Sequence, residues 1–303
     1  MKRTQLMKRK VLGFVVALSM AVTGLVGANN IAETSLEAQA ASKLKVNLAN
    51  NQEMWVVDGM GESVVVRATA GAAGPIKCTS SNPSVVSADS NVLTAEKAGK
   101  AKITVKSGKR KLTRNIVVKN FKNESAIMSL KGFKRESDHC ASVIVKNKTN
   151  RPFVATIRFE GYGENWDSVY EDPGECYVSL KAKGEQRVYF MASEEIEHIK
   201  LAVTGGTYIH QVGNKSTKVD AELSLEVLDD YLRYHLENKS DKTVYGGYSK
   251  LEYDSEGKLY KVNNYLLHNG EGYGKGEQSW GCFEGASMVF YDLIYADGMV
   301  WHI

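Results

Sequence analysis

The chain has 303 residues, of which 43% are hydrophobic and 24% are charged, and a formal net charge of +4. This length accommodates two or three ordinary domains, and the composition is that of a folded protein, which excludes long disordered regions. The charge is divided unevenly, with 13 basic and 5 acidic residues in 41–120 against 21 basic and 28 acidic residues in 121–303. This asymmetry predicts a domain boundary near residue 120.

The N-terminus has the pattern of an export signal. MKRTQLMKRK, with five positive charges, is followed by the apolar stretch VLGFVVALSMAVTGLVGA and by small residues. Cleavage is predicted after Ala40, with Ala28 as the alternative, and an uncleaved anchor is the competing interpretation. No cysteine for lipid attachment follows the apolar run, and no C-terminal sorting sequence is present. We therefore expect a secreted or extracellular protein, released or held non-covalently at the cell wall.

Residues 41–120 have the pattern of a β-sandwich. β-branched runs recur at regular spacing between Gly, Asn-Pro and Ser-Gly turns, and helical periodicity is absent. The segment SSNPSVVSADSNVLTAEKAGKAKITV resembles the bacterial immunoglobulin-like domain of group 2, and this resemblance covers residues 43–119. It implies that Asn82 starts a turn with Pro83, that Gly99 takes a permissive backbone angle, and that Ile103 and Val105 point into the sandwich.

Residues 121–303 contain an internal duplication. VKNKT (145–149) matches LENKS (236–240), and Lys-Gly-Glu-Gln occurs at 183–186 and again at 275–278, with offsets of 91 and 92. The offsets predict two copies of one β-sandwich, residues 121–212 and 213–303. We interpret Lys-Gly-Glu-Gln as a turn in which glycine takes a backbone angle that other residues avoid, with a repeated ligand clamp as the alternative.

The second copy carries the hairpin SKLEYDSEGKLYKV (249–262), followed later by the Lys-Gly-Glu-Gln turn. This combination resembles the FxLYD-type domain, a small β-sandwich of exported Gram-positive proteins. In the first copy the hairpin has degenerated to FEGYGENWDSVY. The predicted fold is all-β: one bacterial immunoglobulin-like module and two divergent sandwich repeats in tandem, after a signal peptide of residues 1–40.

The sequence offers little for catalysis. Cys140 and Cys176 share one predicted module and are the expected disulfide, with buried thiols as the alternative. Cys282 and His302 would form a nucleophile–base pair, but Cys282 aligns with core-facing residues of the first copy and is interpreted as scaffold. Because metal-ligand, phosphate-loop and nucleophile motifs are absent, we expect no enzyme, cofactor or metal.

Aromatic residues are concentrated in the second copy, where ten of the 15 tyrosines lie between 231 and 295. Exposed rings stack on sugars and dominate protein contacts, whereas buried rings would fill a Tyr-rich core. The candidates for a recognition face are Tyr245, Tyr248, Tyr265 and Trp280. In the hairpin, Tyr248 has the opposite parity to Leu251, which predicts that one strand face is partly exposed.

Basic residues crowd the end of the first module, and alternation along strands would align them as one face. The candidates for this basic face are Lys102, Lys106, Lys109, Arg110, Lys111 and Arg114. On an exported protein the nearby polyanions are wall polymers and membrane phosphates, not nucleic acid. A solvated face that docks on the acidic part of the chain is the alternative.

From these observations we expect an exported, non-catalytic binding or adhesion-type protein at the surface of a Gram-positive bacterium. Its ligand would be a glycan, a wall polymer or another protein, and the membrane would be contacted only through an uncleaved signal. This hypothesis depends largely on the kinds of protein in which such modules commonly occur. A structural stalk without a ligand site is the first alternative, and an enzyme with a site on the repeats is the second.

Overall fold

The computed structural model describes residues 43–167, 175–201, 209–211, 220–228, 231–267, 274–283, 286–296 and 300–301. These ranges contain β-strands and one short 3-10 helix, Glu124–Ala126, but no α-helix, so the predicted all-β class is confirmed. None of the helical structure in them is long and apolar enough to cross a membrane. The predicted signal peptide lies outside the described residues.

The first ten strands form two facing sheets and one separate pair. They are β1 (Lys45–Val46), β2 (Gln52–Val57), β3 (Met60–Gly61), β4 (Ser63–Val65), β5 (Ala68–Ala70), β6 (Ile76–Ser80), β7 (Val86–Asp89), β8 (Val92–Ala95), β9 (Gly99–Ser107) and β10 (Arg110–Phe121). One sheet has the order β3-β2-β10-β9-β6, with β2 and β10 parallel, and the other contains β4-β8-β7; β1 pairs with β5. Apolar side chains from both sheets, such as Leu93 and Ile116, enclose a common core.

The local predictions for this part are confirmed. The carbonyl of Asn82 accepts hydrogen bonds from the backbone N–H groups of Val85 and Val86, which makes the expected turn. Gly99 has φ +153°, and a Cβ there would lie 2.8 Å from Cγ2 of Val85, so both the backbone angle and the close approach require glycine. Ile103 and Val105 are fully buried.

The next seven strands surround a second core. They are β11 (Met128–Arg135), β12 (Cys140–Asn147), β13 (Phe153–Tyr162), β14 (Glu175–Leu180), β15 (Glu185–Met191), β16 (His198–Leu201) and β17 (Ile209–Gln211). They form the sheets β11-β12-β15 and β14-β13-β16, with β17 also paired to β13. Their core includes Val143, Phe153 and Phe190, and Trp55 of β2 is buried in the same cluster.

The last nine strands are β18 (Ala221–Val227), β19 (Tyr231–Asn238), β20 (Thr243–Tyr245), β21 (Gly247–Tyr253), β22 (Leu259–Leu266), β23 (Gly276–Phe283), β24 (Ala286–Phe290), β25 (Ile294–Ala296) and β26 (Val300–Trp301). They form the sheets β18-β19-β23 and β22-β21-β24 and the pair β20-β25. Strand β26 pairs instead with β4, which places it at the edge of the sheet β4-β8-β7.

The two Lys-Gly-Glu-Gln segments lead into strands with the same pairing. Glu185 of β15 lies opposite Lys146 of β12, and Glu277 of β23 lies opposite Glu237 of β19, so both pairs obey the offsets of 91 and 92. One detail of the predicted turn is wrong. Positive φ belongs to Lys183 in the first copy and to Gly276 in the second, whereas Gly184 is not in that region.

A buried asparagine organises an equivalent turn in each copy. The side-chain amide of Asn147 donates to the carbonyls of Arg151 and Lys181, and its Oδ1 accepts the backbone N–H and the hydroxyl of Thr149. Asn238 donates to the carbonyls of Lys242 and Gly274 and accepts the same two groups of Ser240. The matched segments Asn-Lys-Thr and Asn-Lys-Ser are therefore turn determinants.

The described strands belong to one closely packed unit, Ser42–Ile303. On one face of β21 and β22, Leu251 and Val262 pack against Cys140 of β12. A separate cluster joins Val154 of β13 to Val244 and Ile294. Faces that would be exposed on an isolated sandwich are thus used for packing between different parts of the chain.

A buried contact between a carboxyl group and a guanidinium joins β3–β4 to the turn before β13. Glu62 is fully buried, Arg151 is 2% exposed, and Nη1 of Arg151 lies 3.4 Å from Oε2 of Glu62. Trp55 completes the group, because its backbone N–H donates to Glu62 and its ring lies 4.8 Å from the guanidinium carbon. Burial raises the pKa of Glu62 to about 8, and the attraction of Arg151 offsets this effect only in part.

Candidate functional site

Three neighbouring strands carry a row of lysines on the outer face of the five-stranded sheet. Lys106 of β9 lies directly opposite Lys77 of β6 on one side and Lys111 of β10 on the other. All three side chains are exposed, because their strand neighbours Cys78, Val105 and Ser107 take the inward positions.

The row continues along β9 with Lys102 and Lys100, both exposed. We call Lys77, Lys100, Lys102, Lys106 and Lys111 the lysine face. None of the five forms an ion pair with a described residue, whereas Lys119 at the edge of this surface lies 2.7 Å from Glu53. The lysine face therefore presents uncompensated positive charge.

Of the six residues predicted for the basic face, Lys102, Lys106 and Lys111 are exposed in this row, whereas Arg110 and Arg114 are half-buried and lie on the other side of β10. These two arginines share the parity of the buried Ile116 on β10, and each donates a hydrogen bond to a backbone carbonyl, of Gly71 and Leu48 respectively.

Two further lysines differ from the sequence-based assignment. Lys109 lies in the turn between β9 and β10, beside Gly108 with φ +57°, and so lies beyond the paired row. Lys77 was missed, although the alternation of Ile76, Lys77, Cys78 and Thr79 marks an outward position. What the alternation does not reveal is that β6 pairs with β9.

Three of the four predicted aromatic residues form one cluster. Tyr248 of β21 lies opposite Tyr265 of β22, with ring centroids 5.0 Å apart, and opposite Phe290 of β24, at 5.3 Å. Trp280 of β23 lies 5.7 Å from Tyr248 across the space between two sheets. Tyr265 is 41% exposed, so the cluster is open to solvent at this end.

Leu251 and Tyr248 lie on opposite faces of β21, as predicted, since Leu251 is buried and Tyr248 is half-buried. Burial also raises the pKa of the Tyr248 hydroxyl. The prediction that Tyr245 lies at the surface is wrong. Tyr245 is 5% exposed because it packs in the cluster that contains Val154 of the preceding repeat. A contact between distant segments thus removes one predicted recognition residue.

The predicted bridge between Cys140 and Cys176 is not formed. The sulfur of Cys140 lies 3.8 Å from that of Met191, on the outer face of β12, whereas Cys176 is buried in the core on the other side of the sheet and accepts a contact from Asn264. Burial raises the pKa of the Cys140 thiol, so this sulfur is held as a neutral apolar group.

The structure does not bear on the nucleophile–base pair of Cys282 and His302. The side chain of Cys282 and all of His302 lie outside the described residues. Across the described part of the chain, no group of three or more His, Cys, Asp or Glu residues is arranged to hold a metal ion.

An additional aromatic group, not identified from the sequence, lies at the end of β13 and β16. The Trp166 ring stacks on His198, with centroids 4.3 Å apart and planes 3° from parallel, and lies 5.7 Å from Tyr162. The ammonium of Lys200 lies 4.3 Å from the Tyr162 centroid and 5.1 Å from that of Trp166. The segment GYGENW (161–166) contains Tyr162 and Trp166, but sequence periodicity does not predict the loop geometry that brings their rings together.

Comparisons with known proteins identify no family. No family model matches the chain, and no curated protein matches it. Among solved structures, the chain is similar to an Escherichia coli alpha-2-macroglobulin fragment spanning domains MG0-NIE-MG1, at 8% identity and a TM-score of 0.18, covering 87% of this chain and 97% of that one. A Salmonella alpha-2-macroglobulin reacted with methylamine gives 10% identity and a TM-score of 0.17, covering 87% and 24%.

Proposed function

We propose that this is an exported, non-catalytic binding protein of a Gram-positive cell surface, and that it attaches to an anionic wall polymer through the lysine face. The observation that carries the proposal is the row of Lys77, Lys106 and Lys111 on three adjacent strands. Like charges directly opposite each other across strands destabilise a sheet, with Cβ atoms about 5 Å apart. A bound polyanion would offset this repulsion, because each lysine would then also be attracted to a negative charge of the ligand.

The arrangement suits a long, flexible anion better than a compact one. The lysines are spread over a flat sheet surface and do not converge on a pocket, and Thr104 separates Lys102 from Lys106 along β9. Such a surface favours many weak, salt-sensitive contacts along a chain of phosphates or carboxylates.

The organisation and location of the protein are part of the same proposal. It consists of a signal peptide (1–40), a bacterial immunoglobulin-like module (41–120) and two sandwich repeats (121–212 and 213–303). The equal strand pairing around the Lys-Gly-Glu-Gln segments and the equivalent turns at Asn147 and Asn238 support the duplication. The lysine face lies entirely on the first module.

The test compares two triple variants with the same change in net charge. Lys77, Lys106 and Lys111 are replaced by glutamine in one variant. The control replaces Lys131, Lys239 and Lys275, each of which is ion-paired with a carboxylate. The protein is sedimented with purified cell walls at about 0.1 M and about 1 M NaCl, between which the Debye length falls from about 10 Å to about 3 Å.

We expect the wild type and the control to bind at low salt and to dissociate at high salt, and the lysine-face variant to remain in solution throughout. Walls from which the anionic polymers have been extracted should bind neither. Equal losses in both triple variants, or binding that ignores salt, would show that the lysine face is not the attachment site.

The open end of the aromatic cluster favours a second candidate, recognition of an apolar protein segment. Next to the cluster, Leu225 and Val227 of the edge strand β18 are 51% and 72% exposed. Exposed apolar side chains beside half-buried rings are typical of protein contacts. Loss of a captured partner on Tyr265→Ala, with the lysine-face variant unaffected, would support this candidate over the first.

A further inference from the structure

We propose that Trp166 is the stacking platform of a binding site for neutral glycans, at the end of β13 and β16. The indole is 52% exposed although one of its faces is covered by the parallel imidazole of His198. The ammonium of Lys200 lies 5.1 Å from the indole centroid, so the exposed half of the indole is the part that neither His198 nor Lys200 covers. A flat, accessible indole face is the surface on which the C–H face of a pyranose ring packs.

The backbone conformation of Trp166 supports a role for this residue in binding. Trp166 has φ +60°, a conformation that is unfavourable for a large side chain. The turn is held by hydrogen bonds from the N–H of Trp166 to the carbonyl of Gly163, and from the N–H of Gly163 to the carbonyl of Asp167. Strain of this kind is concentrated at ligand sites, and here it places a large ring outside the core.

The polar groups around the platform indicate the charge of the ligand. Glu160 lies directly opposite Lys200 in the pairing of β13 with β16, so one carboxylate and one ammonium lie at the same surface. The hydroxyl of Tyr162 donates to Glu160 over 2.7 Å. With opposite charges side by side, this surface does not select an anion, but it supplies acceptors and a donor for sugar hydroxyls.

This site is independent of the lysine face. It lies on the first repeat instead of the first module, and its ligand is neutral and ring-shaped where the other ligand is a polyanion. Either proposal can therefore fail while the other stands, and the lysine-face variant serves as a control for the glycan experiment.

The experiment uses the full chain purified from an exporting Gram-positive host and an array of neutral and acidic oligosaccharides. Binding of the strongest neutral glycan is then titrated by isothermal calorimetry, a readout that does not depend on the indole being replaced. We expect Trp166→Ala to weaken it at least about ten-fold, Trp166→Phe to weaken it less, and Glu160→Gln to weaken it without removing the platform. Tyr260→Ala is the matched control, since Tyr260 is 44% exposed on β22, away from the site.

Thermal melting shows whether each variant is folded, and Trp166→Phe and Glu160→Gln keep the test valid if Trp166→Ala unfolds. An array without a bound neutral glycan would overturn the proposal. So would binding that Trp166→Phe, Glu160→Gln and Tyr260→Ala all leave unchanged, or binding of acidic glycans alone that disappears in the lysine-face variant.

Discussion

The buried pair of Glu62 and Arg151 makes stability depend on pH in a direction that can be predicted. The folded protein holds the Glu62 proton up to about pH 8, whereas the unfolded chain releases it near the ordinary pKa of 4.5. A raised pKa contributes stability that is complete below 4.5 and is lost as the pH rises through about 8. The protein should therefore become less stable between neutral and alkaline pH.

The magnitude follows from the two pKa values. With each pKa unit worth about 1.36 kcal/mol, the free energy of unfolding should be roughly 3 kcal/mol higher at pH 6 than at pH 9 on account of Glu62. Two nitrogens of Arg151, Nε and Nη2, have no hydrogen-bond partner among the described residues, so ionised Glu62 does not satisfy the guanidinium fully. This geometry is consistent with a pair whose charged form is costly to bury.

The measurement is urea unfolding at pH 6 and pH 9, followed by tryptophan fluorescence, for the wild type, Glu62→Gln and Glu185→Gln. Glutamine keeps an acceptor for the backbone N–H of Trp55 but cannot titrate. Glu62→Gln should abolish most of the difference between the two pH values, whereas Glu185→Gln, at an exposed pair with Lys131, should retain it. Parallel pH dependence in the wild type and Glu62→Gln would refute the reasoning.

Two other predictions concern the interior. Asn147→Ala and Asn238→Ala should each destabilise the protein by about 3 kcal/mol, because each leaves two turn carbonyls without their donor. Urea midpoints measure this, and a large loss from one variant with none from the other would contradict equivalent roles. In a Cys282→Ser background, Cys78 and Cys140 should resist Ellman's reagent at pH 8 until urea is added, since burial raises the pKa of both thiols, that of Cys78 to about 11. Rapid labelling of the native protein would contradict their burial.

Local patterns predicted the features that depend on neighbours in the sequence. Alternation placed Ile103 and Val105 inside and Lys102 and Lys106 outside, because successive side chains of a strand point to opposite faces. The same rule, applied strictly, would also have removed Arg114 from the basic face, since it shares its parity with Ile116. The number of charges in a segment does not show on which face of a strand each of them lies.

Features that depend on contacts between distant segments could not be predicted in this way. Tyr245 is buried because Val154 of the other repeat packs in the same cluster, and Lys77 joins the lysine face because β6 pairs with β9. Likewise, Cys140 faces Leu251 of the second copy and not Cys176 of its own. No periodicity within a single segment contains this information.

Packing between distant parts of the chain also limits where binding can occur. Faces that a separate sandwich would expose are covered at Trp55, at Cys140 and at Val154, which leaves binding to the surfaces that remain exposed. Two of those that remain break a local rule of stability: like charges stand opposite each other at Lys77 and Lys106, and a large ring has positive φ at Trp166. Sequences usually agree with their folds at every level, and departures from that agreement are concentrated at functional sites. The opposed lysines form no ion pair with a described residue, and the Trp166 ring stays 52% exposed even though it stacks on His198, so a ligand is proposed at each position.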